Sequence, residues 1–116
     1  MAEISVALGG GGVKGFAHFG VLEQLENEGF EVKAVAGTSA GGIVGSVFAA
    51  GYRTRDLADA LARVNQRNFF ARLPNDGPSL LGLAGMIDFL TAYLGNRTFK
   101  DLTIPFAVTA VDVESK

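Results

Sequence analysis

Residues 32–51 read VKAVAGTSAGGIVGSVFAAG, and their order decides the architecture. Val32 to Ala36 is a short apolar run bounded by glycine, the pattern of a strand. Ala40 to Ala50 is apolar nearly all round, the pattern of a buried helix, and Gly51 stops it. Only Gly37, Thr38 and Ser39 stand between the two, so strand must become helix within very few residues. A turn that sharp forces Ser39 into a strained backbone conformation, at a cost of about 1–3 kcal/mol, and pushes its hydroxyl outward. Gly37 and Gly41 are needed two residues before and after it, because a side chain at either would collide with the strand and helix closing on the turn. At a helix amino terminus, backbone N–H groups and the dipole favour the negative charge that develops during acyl transfer.

Upstream, Ile4, Val6 and Leu8 alternate with small or polar residues and run into Gly9–Gly12, which reads as a strand over 3–8 ending in a loop. Consecutive glycines let a backbone approach a ligand closely and turn its N–H groups toward an anion. From Gly15 to Glu28, Phe16, Phe19, Leu22 and Leu25 recur at three-residue steps, with Val21 widening the apolar face of a helix, and Gly29 follows as a stop. Two parallel strands joined by one right-handed helical crossover end on the same edge of a sheet. Gly10, Gly11 and Gly12 should therefore face Ser39, with backbone donors placed as an oxyanion hole requires. One such donor is typically worth about a hundredfold to a thousandfold in rate.

Downstream, Thr54 is placed to cap a helix running through Val64, with Asp56 in its first turn. Residues 65–80 contain Pro74, Asn75, Asp76, Gly77 and Pro78, which mark a long surface loop. Leu83, Met86, Ile87, Leu90 and Leu94 fall at helical spacing, and Gly95-Asn96 ends that pattern. Ile104 to Val113 is rich in β-branched residues and predicts a third strand, with Pro105 near its start, where proline is best tolerated. The order implies a layered α/β/α fold with a mostly parallel central sheet and helices on both faces.

The 116 residues suffice for one compact core, expected to bury roughly two thirds of the unfolded surface. Net charge is -2 and charged residues are interspersed, so no basic stripe exists to neutralise a phosphate backbone and nucleic acid is excluded as a partner. With no cysteine and a single histidine, disulfides and thiolate metal sites are ruled out, and no metal or cofactor is implied. The start lacks a basic segment ahead of a long apolar one, and no run reaches bilayer length. A cytoplasmic protein is the expectation.

Other readings of these motifs are weaker. Gly10, Gly12 and Gly15 also satisfy the dinucleotide fingerprint G-x-G-x-x-G, but that requires an acidic residue at the end of the second strand, where Ala36-Gly37-Thr38 stands. A phosphate-binding loop would follow Lys14 with serine or threonine, not Gly15. His18 precedes Ser39, whereas a hydrolase triad places its histidine after the serine; it reads as a partly buried helical histidine with a local hydrogen bond. Lys14 reads as a cap on the glycine loop, bonding nearby carbonyls, in preference to a contact for an anionic head group. Phe69, Phe70, Leu73, Leu80 and Leu81 read as a satellite core under the loop, with a lipid-contacting patch as the alternative.

GGGGVKGFAHFGVLEQL at 9–25, VAGTSAGGIVGSVFAAGY at 35–52 and FKDLTIPFAVTAVDVES at 99–115 together resemble the opening of the patatin-like phospholipase family. The resemblance implies a serine acyl hydrolase of phospholipase A, lipase or esterase type, acting on lipid or other acyl esters and compatible with peripheral contact at a membrane surface. It makes Ser39 the nucleophile and Gly10, Gly11 and Gly12 the oxyanion hole, with Lys14, Gly15, Gly37 and Gly41 supporting the two motifs. The family pairs its serine with an aspartate in a downstream Asp-Gly-Gly or Asp-Gly-Ala motif. No such motif occurs here: Asp76-Gly77 is followed by Pro78 and precedes the third block, and Asp112 reads as structural. Residues 1–116 are thus expected to be the amino-terminal portion of one patatin-like domain. The rival expectation is a catalytically silent lipid- or acyl-binding module.

Overall fold

The computed structural model describes residues 2–62 and 84–115. Strand β1 (Ala2–Leu8) leads through the glycine loop into a 3₁₀ segment (Gly12–Ala17) and helix α1 (His18–Asn27). Strand β2 (Phe30–Gly37) is followed by α2 (Ala40–Ala49) and α3 (Thr54–Ala62). Helix α4 (Ala84–Leu94), a 3₁₀ turn (Phe99–Asp101) and strand β3 (Phe106–Val108) complete the described elements. The strands form one parallel sheet in the order β1-β2-β3, giving the α/β class expected.

Register explains which side chains meet. Ile4 pairs with Val32 but Ser5 pairs with Ala34, so Lys33 is an extra residue in β2. This bulge brings both Val32 and Val35, three apart in sequence, to the same buried face, which strict alternation forbids. Lys33 turns outward to Glu31, 2.8 Å away, and Glu3, 3.8 Å away. On the core face Leu8, Val32 and Val35 join Phe16, Phe19 and Leu22 from the first crossover and Ile43, Val44 and Val47 from α2. Helix α2 lies close on the sheet: a Cβ built on Gly45 would stand 2.9 Å from side-chain atoms of both Phe106 and Val35. Glycine within a helix costs about 1 kcal/mol relative to alanine, a cost offset here by the burial that close helix–sheet approach allows.

Three expectations need correction. The third strand spans three residues, not ten, because β2 turns away at Gly37 and leaves β3 no partner beyond Thr109, whose amide makes the last bond to Gly37 O. Thr54 does not cap α3 from outside; Leu57 N–H donates to Arg53 O, so Thr54 already lies inside the helix, where it is buried. Val21 is 52% exposed and does not widen the apolar stripe, since it points away from the Phe16–Phe19–Leu22 line. Among the described residues both crossovers pack on one face. The opposite face presents Ser5, Ala7, Ala36 and Ala107 outward, and the second helical layer is not found among those residues. Residues 65–80, with the predicted loop and the Phe69–Phe70 patch, lie outside the described part.

Candidate active site

β1 and β2 end in register, Leu8 opposite Gly37, so the glycine loop and the Ser39 turn leave the same edge side by side. Thr38 N–H donates to Leu8 O at 3.1 Å, extending the pairing one residue into the turn. Helix α2 then starts at once: the amides of Gly41 and Gly42 donate to Thr38 O at 2.9 Å and Ser39 O at 2.8 Å.

Ser39 has φ 53° and ψ -127° and is the one non-glycine residue at positive φ among those described. An L-residue adopts this conformation only at a cost of about 1–3 kcal/mol, held by its surroundings. The surroundings are tight. A Cβ on Gly41 would overlap the Leu8 carbonyl, and one on Gly37 would overlap the Gly41 carbonyl. The Ser39 side chain is exposed and makes no hydrogen bond among the described residues.

The two corners converge. A Cβ built on Gly10 would lie 3.2 Å from Ser39 Cβ and 3.7 Å from its Oγ. Gly11 takes φ 150° and Gly12 φ 56°, values open to glycine, and they tip the chain into the 3₁₀ segment, where Lys14 N–H donates to Gly11 O at 3.1 Å. The amides of Gly10 and Gly11 have no acceptor among the described residues. Gly15 rests on α2 so closely that a Cβ there would stand 2.5 Å from that of Ala40. The juxtaposition that joins Gly10, Gly15, Gly37 and Gly41 around Ser39 is therefore steric: at Gly37 and Gly41 one backbone passes against another, and at Gly10 and Gly15 the chain lies against the Cβ of Ser39 and of Ala40.

Three residues behave differently from, or more specifically than, the sequence implies. Lys14 is exposed and its ammonium makes no hydrogen bond among the described residues, so it does not cap the loop; only its backbone N–H does. His18 Nε2 donates to Gly9 O at 2.8 Å, the local bond expected of it. Asp112 accepts from Glu114 N–H at 2.9 Å and Ser115 Oγ at 2.8 Å; bonds from Ser115 and then Glu114 hold its carboxyl below the usual range, consistent with a turn-forming role. One contact escaped the sequence: Thr109 Oγ1 lies 2.7 Å from Thr38 Oγ1 and Thr109 N–H donates to Gly37 O at 3.3 Å, tying the end of β3 to the serine turn. Asp76-Gly77 lies outside the described residues.

Residues 6–115 match the family model described as patatin-like phospholipase. The chain belongs to the patatin-like phospholipase family. An uncharacterised NTE family protein of Mycobacterium bovis is 33% identical over 114 residues, covering 96% of this chain and 31% of that protein. Lysophospholipase NTE1 of Saccharomyces cerevisiae is 40% identical over 106 residues, covering 87% of this chain and 6% of its own length. The protein YqhO of Bacillus subtilis is 46% identical over 56 residues, 48% of this chain. This patatin-like chain thus spans 31% of the length of the mycobacterial relative. No helix among the described residues is long and apolar enough to cross a membrane.

Proposed function

We propose that this patatin-like chain carries the nucleophile and the oxyanion hole of a lipid acyl hydrolase. The observation that carries the reading is the approach of Gly10 to a strained, outward-facing Ser39, 3.2 Å between the built Cβ and Ser39 Cβ. Ser39 Oγ attacks the acyl carbonyl, its proton passes to a base, and the alcohol leaves as the acyl-enzyme forms; water then releases the fatty acid. Amides of Gly10–Gly12 donate to the oxygen that becomes negative in each tetrahedral intermediate. The base, by family resemblance, is an aspartate in a downstream Asp-Gly motif. Phospholipids or lysophospholipids are the substrate class, supported by the family's description and the yeast relative's name.

A second reading, a silent lipid- or acyl-binding module, draws on the absence of a hydrogen-bond partner for Ser39 Oγ among the described residues. A fluorophosphonate probe separates the two in the full-length protein. A covalent adduct that Ser39→Ala abolishes supports the hydrolase; lipid binding with no adduct supports the module.

A further inference from the structure

The only histidine of the chain plays no part in the chemistry just described, yet it touches the glycine loop at its most consequential point. His18 opens α1, and its Nε2 stands 2.8 Å from the carbonyl oxygen of Gly9. A carbonyl only accepts, so Nε2 carries the proton. The bond spans nine positions of sequence and is made possible by the 3₁₀ segment, which folds the start of α1 back over the loop.

The Gly9–Gly10 peptide is trans, so its C=O and N–H point in opposite directions. Fixing the Gly9 oxygen toward His18 therefore fixes the Gly10 N–H away from α1. That amide has no acceptor among the described residues, and it belongs to the residue that lies against Ser39. Between two glycines such a peptide unit rotates easily, because neither flanking residue carries a Cβ to oppose it. In the rotated state a carbonyl oxygen replaces the N–H, and its negative end opposes the charge the oxyanion hole must stabilise.

We propose that His18 is a positioning residue for the oxyanion hole: its Nε2–H locks the Gly9–Gly10 peptide so that the Gly10 amide remains a donor. The inference rests on the reading of Ser39 as nucleophile. It requires a hydrogen-bond donor at position 18, not an imidazole as such, which sets it apart from a packing role or from proton transfer.

The test uses the full-length protein with a p-nitrophenyl ester and a fluorophosphonate probe. His18→Phe keeps the ring volume and removes the donor; it is expected to lower kcat and the labelling rate about five- to tenfold, the loss of one hydrogen bond, with KM and melting temperature little changed. His18→Gln, whose amide reaches a similar position, should recover most of the rate. If His18→Phe fails to fold, His18→Leu takes its place. Wild-type kcat in the donor-free variant, equal losses in the Phe and Gln variants, or a loss that follows melting temperature overturns the proposal. Labelling that survives Ser39→Ala overturns the nucleophile reading, and this inference with it; labelling lost in Ser39→Ala but unchanged in His18→Phe overturns this inference alone.

Discussion

The carbonyl of Leu8 accepts the amide of Thr38 at 3.1 Å and lies where a Cβ on Gly41 would fall. One oxygen at the end of β1 thus fixes the residue before Ser39 and limits what can stand two residues after it. The serine turn is held from the neighbouring strand as well as by the first amides of its own helix.

Gly41→Ala is accordingly expected to destabilise the protein by about 3 kcal/mol, since the new Cβ meets the backbone of Leu8 and Gly9, which cannot rotate aside as a flexible side chain can. Urea denaturation measures this. A loss below about 1 kcal/mol would mean that α2 can move off β1.

Strain at Ser39 gives a contrasting expectation. Ser39→Gly should raise stability by about 1 kcal/mol, relief of the positive φ exceeding the entropy cost of glycine, while Ser39→Ala, keeping a Cβ, should leave it nearly unchanged. Both should abolish probe labelling. Equal melting temperatures for the two variants would argue against strain at this position.

Gly10→Ala separates chemistry from folding. The new methyl would be 3.2 Å from Ser39 Cβ and 3.7 Å from Oγ, close enough to restrict the hydroxyl and crowd a substrate without striking backbone. Ester hydrolysis should fall about a hundredfold, the loss of one oxyanion donor's worth of stabilisation, with stability changed by less than about 1 kcal/mol.

Thr109 joins β3 to the serine turn through its hydroxyl and its amide, at 2.7 Å from Thr38 Oγ1 and 3.3 Å from Gly37 O. Thr109→Val keeps the shape and the amide but removes the hydroxyl bond, and is expected to cost about 1 kcal/mol. Thr109→Ser should restore that stability in the same denaturation experiment.

One pH effect has a definite sign. Thr98 donates to the Asp101 carboxylate through its backbone N–H at 2.7 Å and its hydroxyl at 3.1 Å. The backbone bond first, then the hydroxyl bond, lowers the Asp101 pKa below its ordinary value. The stabilisation is present above the ordinary carboxylate pKa and is lost as pH falls through the depressed one. The protection of the Asp101 and Leu102 amides against exchange, relative to their intrinsic rates, should therefore fall below about pH 4, and Asp101→Asn should remove that pH dependence.

The serine turn was legible because three signals agree: a strand-length apolar run, a helix-length apolar run and glycines flanking Ser39. The meeting of Gly10 with Ser39 followed from one right-handed crossover. Other features depend on neighbours that no local pattern encodes. The bulge at Lys33 arises from pairing with β1 and looks like ordinary alternation when β2 is read alone. The shortness of β3 reflects where β2 turns, not the β-branched composition of residues 104–113. The bond from His18 to Gly9 needs a 3₁₀ start to the first helix, which the apolar spacing of Phe16, Phe19 and Leu22 does not distinguish from an α-helical one.

The most direct measurement is peptide mass spectrometry of the full-length protein after reaction with a fluorophosphonate. The expected result is a single adduct on the peptide containing Gly37–Gly41, borne by Ser39 and lost in Ser39→Ala. An adduct on another residue, with Ser39 unmodified, would contradict the account.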